Sequence, residues 1–159
     1  MLKVLVEKWN KNKERLSKAL RRTDLEHVDY KDLVRLTFDE IYNDGVGDGD
    51  YVWYGKLDTK HITEVDDGDY QGTLLFLIPF NRYQPTECDY LMTYIGYGSC
   101  SGCDTLQGIQ NDLPCYGQPT EQNIADFMGL CRDIICNTIK PYNSGWRYEE
   151  CFNTVDVKE

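Results

Sequence analysis

The apolar run at residues 74–78, within GTLLFLIPF (72–80), constrains the fold of this chain more than any other stretch. The run is apolar on both faces of a strand, which predicts a central strand that is covered on both sides. Segments 51–57, 61–65 and 89–97 are short, rich in β-branched and aromatic residues, and separated by turn residues. This pattern predicts that they are strands as well.

The connections between these segments are shorter than ten residues. Helical crossovers need more chain than that, so we expect the strands to pair in antiparallel fashion. Residues 146–152, WRYEECF, are predicted to return as a last strand.

Two helices are predicted before the strands. The first has apolar residues recurring on one face, at Leu2, Leu5, Trp9, Leu16 and Leu20. The second begins after Asp29, a predicted N-cap, and its predicted buried face carries Tyr30, Val34, Phe38 and Ile41.

Two more helices are predicted after the strands. Residues 104–110 form a short one. A longer one is capped by Thr120 and stopped by Lys140-Pro141. Its predicted buried stripe is Ile124, Phe127, Met128, Cys131, Ile134, Ile135 and Ile139.

Helices and strands are segregated along the chain, which is typical of the α+β class. We expect a mainly antiparallel sheet of four to five strands, packed with an N-terminal helical pair and a C-terminal helix. The 159 residues are predicted to form a single domain. Its parts are the helical pair (1–43), the β-rich part (51–97), and the helices with a last strand (104–152).

Charge is distributed unevenly. Residues 1–22 hold eight Lys or Arg against two Glu, a balance of +6, so in a chain of net charge −10 the remainder carries −16. Acidic residues are densest over 39–69, and such a field repels nucleic-acid phosphates. We therefore expect no direct contact with nucleic acid. The N-terminus becomes charged too early for a signal peptide, and no apolar run could span a membrane, so a cytoplasmic location is predicted.

The loop GYGSCSGCDTLQ (96–107) holds two cysteines three residues apart, between a predicted strand and a predicted helix. One interpretation is thiol chemistry, with Cys100 as the attacking thiol and Cys103 as its resolving partner. A helix N-terminus lowers the pKa of a nearby thiol. The adjacent Asp104 would oppose formation of the thiolate.

Zinc is a second interpretation, with Cys100 and Cys103 as half of a tetrahedral site. Candidates for the other half are Cys88, Cys115, His61 and the Cys131/Cys136 pair, but they form no second C-x2-C pair. We therefore expect no cofactor, with zinc as the alternative.

A third interpretation is an anion-binding nest for a small phosphorylated ligand. Its predicted members are Gly98, Ser99, Ser101, Gly102, Asp104 and Gln107, joined by Asp69, Tyr70 and Gln71 if the strands pair. The structural alternative is that the small residues only allow the strand and the helix to pack closely.

Four segments in this order carry a resemblance: LKVLVEKWNKNKERL (2–16), DDGDYQGTLLFLIP (66–79), YQP (83–85) and YGSCSGCDTLQGI (97–109). The chain resembles a family of small proteins of bacteriophages and prophages of Gram-positive hosts. Cys100 and Cys103 belong to the signature of that family and the other five cysteines do not, which weakens a four-cysteine zinc site. The resemblance implies a phage setting and assigns no activity.

In that setting the first hypothesis is a non-enzymatic counter-defence or host-takeover inhibitor. It would act in the host cytoplasm through acidic contacts with a host or defence protein that has a basic surface. The alternative is a cysteine-centred enzyme or a small-ligand binder that uses the GSCSGCD loop. No complete catalytic constellation is visible, and thiol chemistry at Cys100 and Cys103 is the candidate activity.

Overall fold

The computed structural model describes residues 2–43, 55–86 and 88–139. Over these ranges the chain is α+β, with four α-helices and one three-stranded antiparallel sheet in the order β1-β2-β3. The elements are α1 (Leu2–Leu20), α2 (Tyr30–Ile41), β1 (Thr63–Asp66), β2 (Gly72–Pro79), β3 (Tyr90–Tyr97), α3 (Thr105–Asn111) and α4 (Glu121–Cys136). The predicted class and the antiparallel pairing are confirmed. The described sheet is smaller than the four to five strands expected.

The difference in strand number concerns two predicted strands, one before β1 and one near the C-terminus. Of the predicted strand 51–57, residues 51–54 lie outside the described ranges, and Leu57 makes an isolated bridge to Phe80. The chain then turns into a short 3-10 helix, Thr59–His61, whose cap Asp58 accepts a hydrogen bond from the Lys60 N–H. The predicted last strand, 146–152, also lies outside the described residues.

The N-terminal helices form as their apolar spacing predicts. Asp29 caps α2 by accepting the Asp32 N–H at 2.7 Å. The predicted inner face of α2 is buried, and α1 buries Leu5, Trp9, Leu16 and Leu20. Within the described part of the chain, no helix is both long and apolar enough to cross a membrane.

β2 is the central strand of the described sheet, as predicted. Its register with β3 pairs Leu74 with Ile95, Phe76 with Thr93, and Ile78 with Leu91. Phe76 and Ile78 belong to the same core as the helices. On the opposite face Leu75 and Leu77 are half-buried, so the described residues cover β2 more completely on the helix side.

α4 is shorter than predicted. It ends at Cys136 with Asn137 as C-cap, and the Asn137 side-chain amide donates to the Tyr94 carbonyl at 3.1 Å. Ile139 therefore lies outside the helix, where it pairs with Met92 through backbone hydrogen bonds of 2.7 and 2.9 Å. Thr93, on the inner face of β3, donates to the Ile134 carbonyl at 2.7 Å and holds α4 against the sheet.

Candidate functional site

The cysteine loop, residues 98–103, joins the end of β3 to the start of α3, at the junction that the sequence predicts. The Cys100 carbonyl accepts two backbone N–H groups, from Cys103 at 2.9 Å and from Asp104 at 2.7 Å. These two bonds close a tight turn, which brings the side chain of Cys103 back over Cys100.

Gly98 is a glycine because the loop folds back onto it. A Cβ built on Gly98 would lie 2.7 Å from Cys103 Sγ and closer still to the Cys103 carbonyl group. No side chain fits in that space without moving backbone. Close packing therefore accounts for at least this glycine of the loop.

Four backbone amides in and beside the loop are engaged in hydrogen bonds within it. Gly98 N–H donates to Asp104 Oδ2 at 3.2 Å, and Cys100 N–H donates to Cys103 Sγ at 3.1 Å. The N–H groups of Cys103 and Asp104 donate to the Cys100 carbonyl. These four amides stabilise the turn itself.

The Asp104 side chain is buried, 4% exposed, and points into the fold. It accepts hydrogen bonds from Tyr30 Oη at 3.1 Å, from Gly98 N–H at 3.2 Å, and from Gln107 N–H at 2.8 Å. Asp104 is thus the N-cap of α3. Gln107 was predicted as a ligand residue, and its backbone amide makes this contact with Asp104.

Tyr30 completes the support of the loop from α2. Its hydroxyl donates to Asp104 and accepts the Leu106 N–H at 3.1 Å. Burial raises the pKa of Tyr30 to about 12, the Asp104 charge and hydrogen bond act in the same direction, and the Leu106 N–H opposes them. Sequence reasoning placed Tyr30 on the buried face of α2 and missed its contact with the loop.

The two sulfurs of the loop are close together and exposed. Cys100 Sγ lies 2.7 Å from Cys103 Sγ. Two sulfurs bound to one tetrahedral zinc, at about 2.3 Å each, would be roughly 3.8 Å apart. The observed separation is nearer to the roughly 2.05 Å of a disulfide. The turn therefore arranges the pair for a bond between its sulfurs.

Hydrogen-bond donors converge on Cys103. The pKa of the Cys103 thiol is lowered, and the hydrogen bond with the Cys100 thiol is the largest cause. Desolvation is the next largest and raises the pKa, while the Ser99 hydroxyl and the Cys100 and Ser99 amides lower it further. Cys103 is therefore the thiol favoured as a thiolate. The prediction from sequence gave the attacking role to Cys100, whereas the lowered pKa belongs to Cys103.

The other described cysteines have different environments. Cys131 is fully buried, which raises its pKa to about 12, and desolvation also raises the pKa of Cys136. His61 contacts Asp58 at 2.6 Å. Within residues 2–43, 55–86 and 88–139, no group of three or more His, Cys, Asp or Glu is placed to hold a metal ion.

The register of β2 and β3 places residues 69–71 at the same end of the sheet as the cysteine loop, because Gly72 pairs with Tyr97. Tyr97 Oη donates to Asp66 Oδ1 at 2.7 Å. This bond raises the pKa of Tyr97 to about 12, with desolvation and the charges of Asp66, Asp67 and Asp69 adding to the effect. The pattern of the sequence contains no signal for this link between the hairpin and β3.

The hairpin of β1 and β2 presents an acidic surface. All four residues of β1 are exposed, as are the side chains that follow it into the turn. We call this surface the acidic hairpin and define it by Glu64, Asp66, Asp67 and Asp69. Glu64 connects this surface to α2, because Glu64 Oε2 lies 4.0 Å from Lys31 Nζ. Tyr70 is 83% exposed beside these carboxylates.

A cleft of about 560 Å³ lies beside the cysteine loop, between that loop, α3 and α4. Cys103 is part of its wall, together with Gly108 of α3 and Asp126, Gly129 and Asp133 of α4. Sequence reasoning missed this cleft because it depends on the packing of α3 against α4.

No protein-family model matches the chain, and no curated protein or solved structure matches it significantly. The resemblance to phage proteins stays a prediction.

Proposed function

We propose that the protein carries out thiol–disulfide exchange with a partner protein, through reversible formation of a Cys100–Cys103 disulfide. The observation that carries this proposal is the 2.7 Å separation of the two exposed sulfurs. The donors on Cys103 support it, because a thiolate is the attacking species in exchange reactions. This proposal develops the cysteine-centred alternative drawn from the sequence.

The reaction proceeds in two balanced steps. The Cys103 thiolate attacks one sulfur of a partner disulfide, and the other partner sulfur leaves as a thiolate, so that a mixed disulfide forms. The Cys100 thiol then loses its proton, and its sulfur attacks Cys103 Sγ. The second partner sulfur leaves as a thiolate, and the two partner thiolates take up protons. Two electrons pass from the cysteine pair to the partner disulfide, and the reverse sequence oxidises a partner dithiol.

The surrounding residues hold the pair for both steps. Gly98 allows Cys103 to approach the end of β3, and Asp104 anchors the turn to α3 and, through Tyr30, to α2. A resolving thiol must reach the mixed disulfide quickly. The position of Cys100 Sγ against Cys103 Sγ satisfies that requirement without a rearrangement of the loop.

The proposal is tested by trapping the mixed disulfide with oxidised glutathione. In Cys100→Ser the resolving thiol is absent, so glutathione should accumulate on Cys103, as read by peptide mass spectrometry. The wild-type protein should instead lose two hydrogens and form the internal disulfide. Cys115→Ser, which removes an exposed thiol outside the pair, is the matched control and should behave as wild type. A wild-type pair that stays reduced while Cys115 takes up glutathione would overturn the proposal.

We propose as a second candidate function the binding of a host or defence protein with a basic surface, the first hypothesis from the sequence. The observation that favours it is the exposure of the acidic hairpin, with Glu64 and Asp66 on the edge strand β1 and Asp67 and Asp69 in the turn that follows. Grouped charges of one sign speed association with an oppositely charged surface and make it sensitive to salt. In a phage setting this contact would block a defence protein without turnover.

Charge reversal tests the binding function. Glu64→Lys with Asp69→Lys should weaken the affinity for a purified basic defence protein, and added salt should weaken the affinity of the wild type. The control is Glu7→Lys with Glu14→Lys, which reverses two exposed charges on α1. Affinity that responds neither to salt nor to the hairpin variants would exclude this function.

A further inference from the structure

We infer that the cleft beside Cys103 selects a basic polypeptide segment, so that the partner protein carries Lys or Arg next to the cysteine that reacts. This inference rests on the proposed exchange reaction and names the class of its substrate.

The cleft and the reactive thiol are continuous. One wall of the cleft of about 560 Å³ is formed by Ser101, Gly102 and Cys103 of the loop. Residues of α4 form another wall. Cys103 is also the sulfur that collects the hydrogen-bond donors. A segment that occupies the cleft therefore lies beside Cys103, the residue that carries the attacking sulfur.

Part of the cleft lining is made by very small residues of α3 and α4. Gly108, Ala125 and Gly129 line it, and a Cβ built on Gly129 would meet no atom within 4 Å. An open helical glycine leaves room for an extended backbone to approach α4. The space therefore suits a polypeptide segment that carries the reacting cysteine.

The cleft is acidic. Asp112, Asp126 and Asp133 line it, and of the described residues in its lining none is Lys, Arg or His. The Asp133 side chain is 61% exposed, with Arg132 Nε at 3.9 Å, and Asp126 accepts a hydrogen bond from Gln122 at 2.8 Å. The Asp104 carboxylate also belongs to the lining but is engaged by Tyr30 and by the Gly98 and Gln107 amides.

Three carboxylates around a peptide-sized space favour a cationic occupant and repel an anionic one. The small phosphorylated ligand predicted from the sequence has the wrong charge for this space. Lys or Arg side chains on either side of a partner cysteine would instead lie near Asp126 and Asp133 while the sulfur approaches Cys103.

The test uses three synthetic peptides of equal length, each with a central cysteine held as a mixed disulfide with thionitrobenzoate. Their flanking residues are Lys, Ser or Glu. The Cys103 thiolate attacks the sulfur of the peptide cysteine and releases coloured thionitrobenzoate. The rate of this release is followed by absorbance. The rate of Cys100→Ser/Cys103→Ser is subtracted to remove reactions at other exposed thiols. At low salt the Lys peptide should react about tenfold faster than the Glu peptide, and salt should reduce the difference.

Variants in the cleft locate the source of the preference. Asp126→Asn with Asp133→Asn should bring the three rates to within about twofold of one another. Gly129→Arg should slow the Lys peptide while the small neutral probe hydroxyethyl disulfide reacts as before. Asn10→Arg is the matched control, since it adds the same side chain at an exposed position of α1 outside the cleft lining, and it should leave every rate unchanged.

The outcomes separate the two proposals. Equal rates for the three peptides on a reactive pair would overturn the basic-segment inference, and so would a Lys preference that survives in the cleft variants. No release above that of Cys100→Ser/Cys103→Ser with any probe would overturn the exchange reaction itself.

Discussion

Tyr30 Oη donates a 3.1 Å hydrogen bond to Asp104 Oδ1, which joins the first turn of α2 to the N-cap of α3 across 74 residues of chain. The same hydroxyl accepts the Leu106 N–H. The position of the cysteine loop is therefore determined partly by the N-terminal helical pair. A change on α2 can alter the loop without contacting either cysteine.

The substitution Tyr30→Phe should lower the free energy of unfolding by about 1–3 kcal/mol, because the buried Asp104 carboxylate and Leu106 N–H each lose a partner. Urea unfolding measures the change. Tyr83→Phe is the control, since Tyr83 is 98% exposed, and it should stay within about 0.5 kcal/mol of wild type. Equal stability of the two variants would show that the Tyr30 hydroxyl does not support the loop.

Gly98→Ala should destabilise the protein by about 1–3 kcal/mol, because a Cβ there overlaps Cys103 and forces the turn to shift. Gly129→Ala is the opposite case, in which the added methyl meets open space within α4. It should stabilise the helix by up to about 1 kcal/mol. Chemical denaturation of both variants gives the comparison, and an unperturbed Gly98→Ala would contradict the close approach.

The alkylation rate of Cys103 should rise with pH around a midpoint below the ordinary thiol value of about 8.5, because the pKa of Cys103 is lowered. Removing the main donor in Cys100→Ala should raise that midpoint, so that alkylation at a given neutral pH becomes slower. Iodoacetamide labelling followed by peptide mass spectrometry measures both profiles. Cys115→Ala should not change the midpoint, and a Cys100→Ala midpoint at or below the wild-type value would reject the assigned donor.

Tyr30 and Tyr97 should ionise with midpoints of about 12, in a late phase of the alkaline absorbance titration. Each variant, Tyr30→Phe or Tyr97→Phe, should remove one proton equivalent from that phase. The pKa of Tyr30 is raised from 10.0 in the fold, so its contribution to stability is complete below pH 10. That contribution is lost as the pH rises towards 12, because the unfolded chain releases its proton first. A late phase of unchanged size in either variant would contradict the assignment.

Local patterns predicted the helices well. Asp29 and Thr120 act as the predicted caps, and the predicted face of α2 is buried. Caps and helical periodicity depend on neighbours within four residues, so a single sequence contains them. The end of α4 was placed too late because Asn137 leaves the helix to bond Tyr94, a contact with a distant strand.

The cysteine loop shows the limit of the same reasoning. Its position between a strand and a helix follows from local pattern. The inward orientation of Asp104 depends on Tyr30, and the turn 69–71 is held near the loop by Tyr97 and Asp66. The donors on Cys103 depend on the exact path of the backbone. Such contacts arise only after distant segments pack, so sequence spacing alone did not indicate them.

The enclosure of Cys131 in the core has a practical consequence. This thiol has no solvent exposure in the native protein, and its pKa is raised to about 12. A reagent can reach it only when α4 separates from its neighbours. The extent of labelling at Cys131 therefore measures global unfolding, whereas the extent of labelling at Cys103 measures the reactivity of that thiol in the folded protein. One mass spectrum of one sample yields both readings, so each variant carries its own internal standard for loss of structure.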